Sequence, residues 1–234
     1  MPRLTIDDNL VTKLITEVAP LITHATGWEL NLPFLRSRIL PRDQGYEAIV
    51  EGKLLLLGYP VSPQRDFVTR TVEMLIEKNV LAASEPLANE LMVIRENVDD
   101  SNLDGLRLVL AHELTHRGQH VHHPQLFQRV NELLLSVLKE ANSGDMDFQK
   151  MRAWFEQVKP LMTLIESHAS YIQGLLGRLN YPQAQIEKPI SLPVLIFRVL
   201  GFGKTTQYTA GLPQVSEAYQ KGSIDSLFER LAGV

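Results

Sequence analysis

The sequence predicts an α+β fold built mostly from helices. Three observations carry that reading. Apolar residues recur at helical spacing over residues 6–25, 64–80, 104–123, 148–179 and 215–231, and again after Pro124. Short apolar runs broken by Pro and Gly lie between them, as strands and turns do. The 234 residues are 44% hydrophobic and 21% charged, a balance that suits a packed globular chain and not a disordered one. No internal repeat or linker divides them, so one domain over 1–234 is expected: a helix and short strands in 1–87, and a functional core in 88–231.

Taken in order, Leu10, Val11, Leu14, Ile15, Val18, Leu21 and Ile22 make the first apolar face, and Gly27 ends it. Over 28–60, Trp28, Leu30, Leu32, Leu35, Ile39, Ile49 and Val50 alternate with Pro33, Pro41 and Gly45, which predicts short strands. Residues 64–80 return to a helical pattern. Glu90–Asn97 reads as a strand, and Val98–Asn102 as a polar turn. Asp104 is the expected N-cap of the next helix, which stops at His123 because proline pushes its predecessor out of helical geometry. Pro124 opens the following helix, whose apolar face is Phe127, Val130, Leu134 and Val137. Ala141–Asp147 is a loop, Phe148–Leu179 one long helix, Asn180–Pro193 irregular, and Val215–Leu231 helical.

Composition excludes several classes. A net charge of −4 and a pI near 6.0 argue against nucleic acid or anionic lipid as partners. With no cysteine, disulfides and thiolate metal sites are excluded, and any metal must be held by His, Asp or Glu. No signal peptide and no apolar run of membrane-spanning length is evident, so a cytoplasmic location is expected.

The chemistry points to His112-Glu113-Leu114-Thr115-His116. Four residues apart on a helix, His112 and His116 share one face and can grip one ion, while Glu113 can reach a water beside it. Catalytic zinc usually has three protein ligands and an open position. The first candidate for the third is Glu166, at the edge of the buried stripe Val158, Met162, Ile165, Ala169, Ile172 and Leu176, where a carboxylate needs a partner. His168 lies about 200° around the helix from Glu166. His122 would complete HExxHxxGxxH, but Gln119 stands where that pattern needs glycine, and Gly118 is one residue early. Both histidines remain alternatives. His120, His122 and His123 together read as a solvated helix end, favoured by the helix dipole.

Ala111–His116 with Gln119, then Ile165-Glu166-Ser167-His168-Ala169, then Leu200-Gly201-Phe202-Gly203-Lys204 with Gln207-Tyr208 and Gly211, occur in that order. Together they resemble the zincin-like metallopeptidase family of the actinobacterial deazaflavin-coenzyme-biosynthesis-associated hydrolase type. The resemblance covers roughly residues 88–231, and Ser167 stands where that family usually has glycine. It implies a zincin-like fold of gluzincin type: an HExxH helix, a preceding edge strand that pairs with extended substrate, and a downstream helix carrying Glu166 as third ligand. Ser167 should then place one more side chain near the metal helix.

The expected function is that of a zinc metallopeptidase acting on peptide or protein substrate. His112, His116 and Glu166 hold Zn2+, and Glu113 is the general base. Tyr171, Tyr208 and His168 are candidates for a second oxyanion donor. The competing readings are a zincin-fold scaffold that cleaves nothing, and a hydrolase of a small amide or ester. His2Glu ligation also admits cobalt, manganese or iron.

Overall fold

The computed structural model describes residues 6–45, 47–52, 55, 58, 80–141, 147–184 and 211–232. The helical pattern at 64–79, most of the irregular stretch to Pro193 and the Leu200–Tyr208 motif lie outside them. Within them the chain is a mostly helical α+β fold with a three-stranded mixed sheet.

Helix α1, Asp8–Thr26, starts where the Asp7 carboxylate accepts the amide of Leu10 at 2.8 Å, and it stops at Gly27, whose φ of 75° suits glycine. Strand β1 is Arg36–Leu40, β2 is Ala82–Glu85 and β3 is Glu90–Ile94. Then come α2 (Leu103–His122), α3 (Pro124–Ala141), α4 (Phe148–Leu179), α5 (Leu212–Gln220) and α6 (Ile224–Ala232).

Several local expectations are corrected. Within 28–60 the described residues form one strand, β1. Leu32–Phe34 is a 3-10 turn, and Glu47–Glu51 is a π-helical turn. Ile49 and Val50 are adjacent and both buried, which a strand facing one core cannot achieve and a helical turn can. The strand from Glu90 ends at Ile94, and Arg95–Asn97 winds into a 3-10 turn. The cap of α2 is Asn102, whose side-chain oxygen accepts the Gly105 amide at 2.9 Å. Asp104 instead pairs with Arg107 at 2.8 Å inside the first turn. The C-terminal pattern is two helices, because Gly222 turns the chain with a φ of 62°.

The strand that precedes α2 is not an edge. Sheet order is β1-β3-β2, with β3 in the middle, parallel to β1 and antiparallel to β2. Among the described residues, β2 pairs with β3 alone and is the edge strand next to α2.

Two apolar clusters flank α2. In one, Val11, Leu14, Val18 and Ile22 of α1 pack with Leu91 and Val93 of the sheet, Leu108–Ala111 of α2, and Ile172 and Leu176 of α4. In the other, α3 to α6 surround Trp28, Phe155, Ile165 and Phe228. Every residue of α2 from Leu108 to Gln119 is buried, so its polar groups must find partners inside the protein. Among the described residues, no helix is long and apolar enough to cross a membrane.

Candidate metal centre

The helical repeat puts His112 and His116 on the face of α2 that meets α4, and Glu166 arrives from α4 at the same depth. Glu166 Oε2 is 3.4 Å from His112 Nε2 and 3.7 Å from His116 Nε2. One ligand atom from each residue lies within 4.8 Å of the other two. Two ligands about 2.1 Å from one tetrahedral ion stand roughly 3.4 Å apart. The cluster therefore suits a small divalent cation, and it is a possible metal site.

The two alternative ligands point elsewhere. His168 is fully buried, but its Nδ1 meets Gln119 Nε2 at 2.8 Å and its Nε2 meets the Tyr219 hydroxyl at 2.7 Å. His122 Nε2 accepts the Glu29 amide at 3.1 Å, and its ring stacks on Trp28. Gly118 does not bend the helix. It lets Trp28 and Leu30 lie against α2, where a Cβ would come within 3.1 Å of Leu30.

The helix end is less solvated than expected. His123 is buried, stacks on Phe228 and meets Asp225 Oδ1 at 3.0 Å, and Trp28 Nε1 donates to the same oxygen. The reason is that α6 folds over the corner between α2 and α3. The Ser167 hydroxyl accepts the Gly211 amide at 3.1 Å, at the start of α5. A Cβ on Gly211 would lie 2.7 Å from that hydroxyl, which is why the position needs glycine.

Glu113 lies beside the cluster. Its Oε2 accepts the backbone amide of Ser84, on β2, at 2.9 Å. Burial pushes its carboxyl up to about 7, the neighbouring Glu166 charge adds to the rise, and His116 and the Ser84 amide oppose it. His168 moves the other way: burial, helped by His116, His123 and His112, takes it down to about 3 and keeps it neutral. Of the candidate oxyanion donors, both His168 nitrogens are engaged, Tyr171 stacks on Tyr219, and Tyr208 lies outside the described residues.

Three residues near the site carry roles that spacing alone did not reveal. Gln119 Oε1 meets His116 Nδ1 at 2.8 Å, and its Nε2 donates to the Ile165 carbonyl at 2.9 Å. Its position three residues after His116 was the available signal. Arg117 is buried and donates to the carbonyls of Leu30 and Asn31 and to Asn89 Oδ1, pinning the entry to β1 and the β2–β3 turn against α2. Ser84 contributes a backbone group, which no residue type announces.

Comparison with protein-family models, curated proteins and solved structures finds no match for this chain.

Proposed function

We propose that this chain is a zinc-dependent hydrolase of the metallopeptidase type, with His112, His116 and Glu166 as metal ligands and Glu113 as general base. The observation that carries the reading is the convergence of two imidazole Nε2 atoms and one carboxylate oxygen in the buried interior, beside a second, independently held carboxylate. Two nitrogens and an oxygen form a donor set that zinc accepts readily. The motif resemblance to the zincin-like family supports the same reading.

When bound, zinc supplies Lewis acidity: it acidifies a water molecule and polarises a carbonyl group. The proton chemistry belongs to Glu113. In the metal-free chain burial holds this carboxyl up at about 7, and as general base it would take a proton from the attacking water and return it to the leaving amine. The Ser84 amide orients that carboxylate through one oxygen and leaves the other for proton exchange. Among the described residues β2 is an edge strand and its Ser84 lies against Glu113, so an extended peptide adding to that edge would bring its backbone beside Glu113. A pure scaffold has no use for a carboxylate held in this way, which favours an enzyme.

The test is metal content by mass spectrometry, on chain purified without added metal or chelator, for the wild type and for Glu166→Ala. About one zinc per wild-type chain, with clear loss in the variant, is expected for a three-ligand site. Full zinc in Glu166→Ala would remove Glu166 from the ligand set. No metal in either protein would sink the hydrolase reading.

A further inference from the structure

Gln119 joins the two helices that carry the ligands, and its orientation is dictated. The carbonyl oxygen of Ile165, 2.9 Å from Nε2, can only accept, so the amide nitrogen faces α4 and Oε1 faces His116. An amide oxygen also only accepts. His116 Nδ1 therefore carries a proton, and in the neutral ring Nε2 keeps its lone pair on the side where Glu166 lies. The second hydrogen of the Gln119 amide goes to His168 Nδ1, which accepts it. Neutral His168 must then hold its proton on Nε2, and it donates to the Tyr219 hydroxyl on α5. One backbone carbonyl, next in the chain to Glu166, thus sets the direction of every hydrogen bond in a four-residue relay.

We propose that Gln119 and His168 are positioning residues that hold His116 in its Nδ1–H tautomer, with Nε2 directed at the ion, and that Tyr219 anchors the far end of the relay. The proposal rests on the metal-site reading for its purpose, while the tautomer itself exists without metal. Gln119 and His168 are fully buried, so water does not compete for these bonds. A metal-bound histidine usually gives its other N–H to an oxygen acceptor that fixes tautomer and ring angle. Here the acceptor is an amide. Replacing His168 by a side chain that cannot accept would leave the second amide hydrogen buried and unpaired, and so would loosen the hold on Gln119 whose direction the Ile165 carbonyl sets.

The experiment is a long-range proton–nitrogen correlation spectrum of the full chain, stripped of metal and labelled with 15N-histidine, read beside zinc affinity by chelator competition. The wild type should show His116 as the Nδ1–H tautomer and His168 as the Nε2–H tautomer. Gln119→Leu should scramble His116 and weaken zinc binding by roughly 10- to 100-fold. Gln119→Glu keeps an acceptor for His116 but has no donor for His168 or for the Ile165 carbonyl. It should restore the His116 tautomer and most of the affinity, while His168 loses its single form. An Nε2–H His116 in the metal-free wild type overturns the proposal, as does unchanged affinity in folded Gln119→Leu. Should that variant fail to fold, the wild-type and Gln119→Glu spectra still decide. A wild type that shows both tautomers yet takes up no zinc overturns the metal reading, and with it the relay's purpose.

Discussion

Helices α1 and α2 are nearly equal in length, 19 and 20 residues, and each begins on a side-chain cap, yet they are held in different ways. Helix α1 buries one stripe and leaves the opposite face to water. Its stabilisation comes from apolar area, and any side chain of the right size would serve. Helix α2 is enclosed by α1 and the sheet on one side and by α4 on the other. Three of its buried polar side chains meet specific atoms: Glu113 the Ser84 amide, His116 the Gln119 side chain, Arg117 two carbonyls. Shape governs the first helix. Directional matching governs the second, and the candidate chemistry sits there.

The largest effect expected from breaking this contrast is on turnover. Glu113→Gln keeps shape and hydrogen bonding but not basicity. Peptide hydrolysis should fall by roughly 10²- to 10⁴-fold while zinc content is retained. Equal loss of zinc would show that Glu113 holds the site together instead.

Next comes packing. Leu14, on α1, is 1% exposed. Leu14→Ala should cost about 2–5 kcal/mol in urea unfolding, with zinc per folded chain unchanged. A change in zinc stoichiometry would mean that the two helices are coupled more tightly than their contacts imply.

A third effect is in pH, for the metal-free chain. His168 falls from 6.5 to about 3 on folding, so its contribution is full above pH 6.5 and is lost as pH drops towards 3. Glu113 rises from 4.5 to about 7, so its contribution is full below pH 4.5 and is lost as pH climbs to 7. Between 4.5 and 6.5 the two slopes oppose each other and cancel. Stability should therefore be level there and fall by about 2 kcal/mol between pH 4.5 and 3, at about 1.4 kcal/mol per unit. His168→Gln should remove the acid limb and leave stability falling as pH rises from 4.5 to 7, and Glu113→Gln should leave it falling as pH drops from 6.5 to 3. An acid limb unchanged in His168→Gln would place the titrating group elsewhere.

The smallest effect is at the caps. Asn102→Ala and Asp7→Ala should each cost about 1 kcal/mol in thermal or urea unfolding. Both helices begin on a side-chain cap, so a cost several times larger for Asn102 would show that the start of α2 helps to set the site.

Local rules account for what was readable in advance. Helix α4 begins and ends where the pattern places it, because the Asp147 carboxylate caps the amides of Gln149 and Lys150 and the apolar stripe runs to Leu176. Pro124 separates α2 from α3 as expected. Strand β2 was not readable. Ala82-Ala83-Ser84-Glu85 has no branched or aromatic residue, and it is a strand because β3 lies beside it. The burial of His123 was hidden for a similar reason, since its partner Asp225 comes from α6.

The candidate site divides along the same line. Helical periodicity alone placed His112 and His116 on one face and set Glu166 apart from His168, because 3.6 residues per turn is a property of the backbone and needs no neighbour. Packing decided the rest. Glu166 meets the two histidines, β2 supplies an amide to Glu113, and the Ile165 carbonyl turns Gln119 towards His116 because α4 crosses α2 at that level. Hydrogen bonds between groups tens of residues apart depend on position to within a fraction of an ångström. No local pattern encodes that, and it exists only once both apolar clusters have closed around α2.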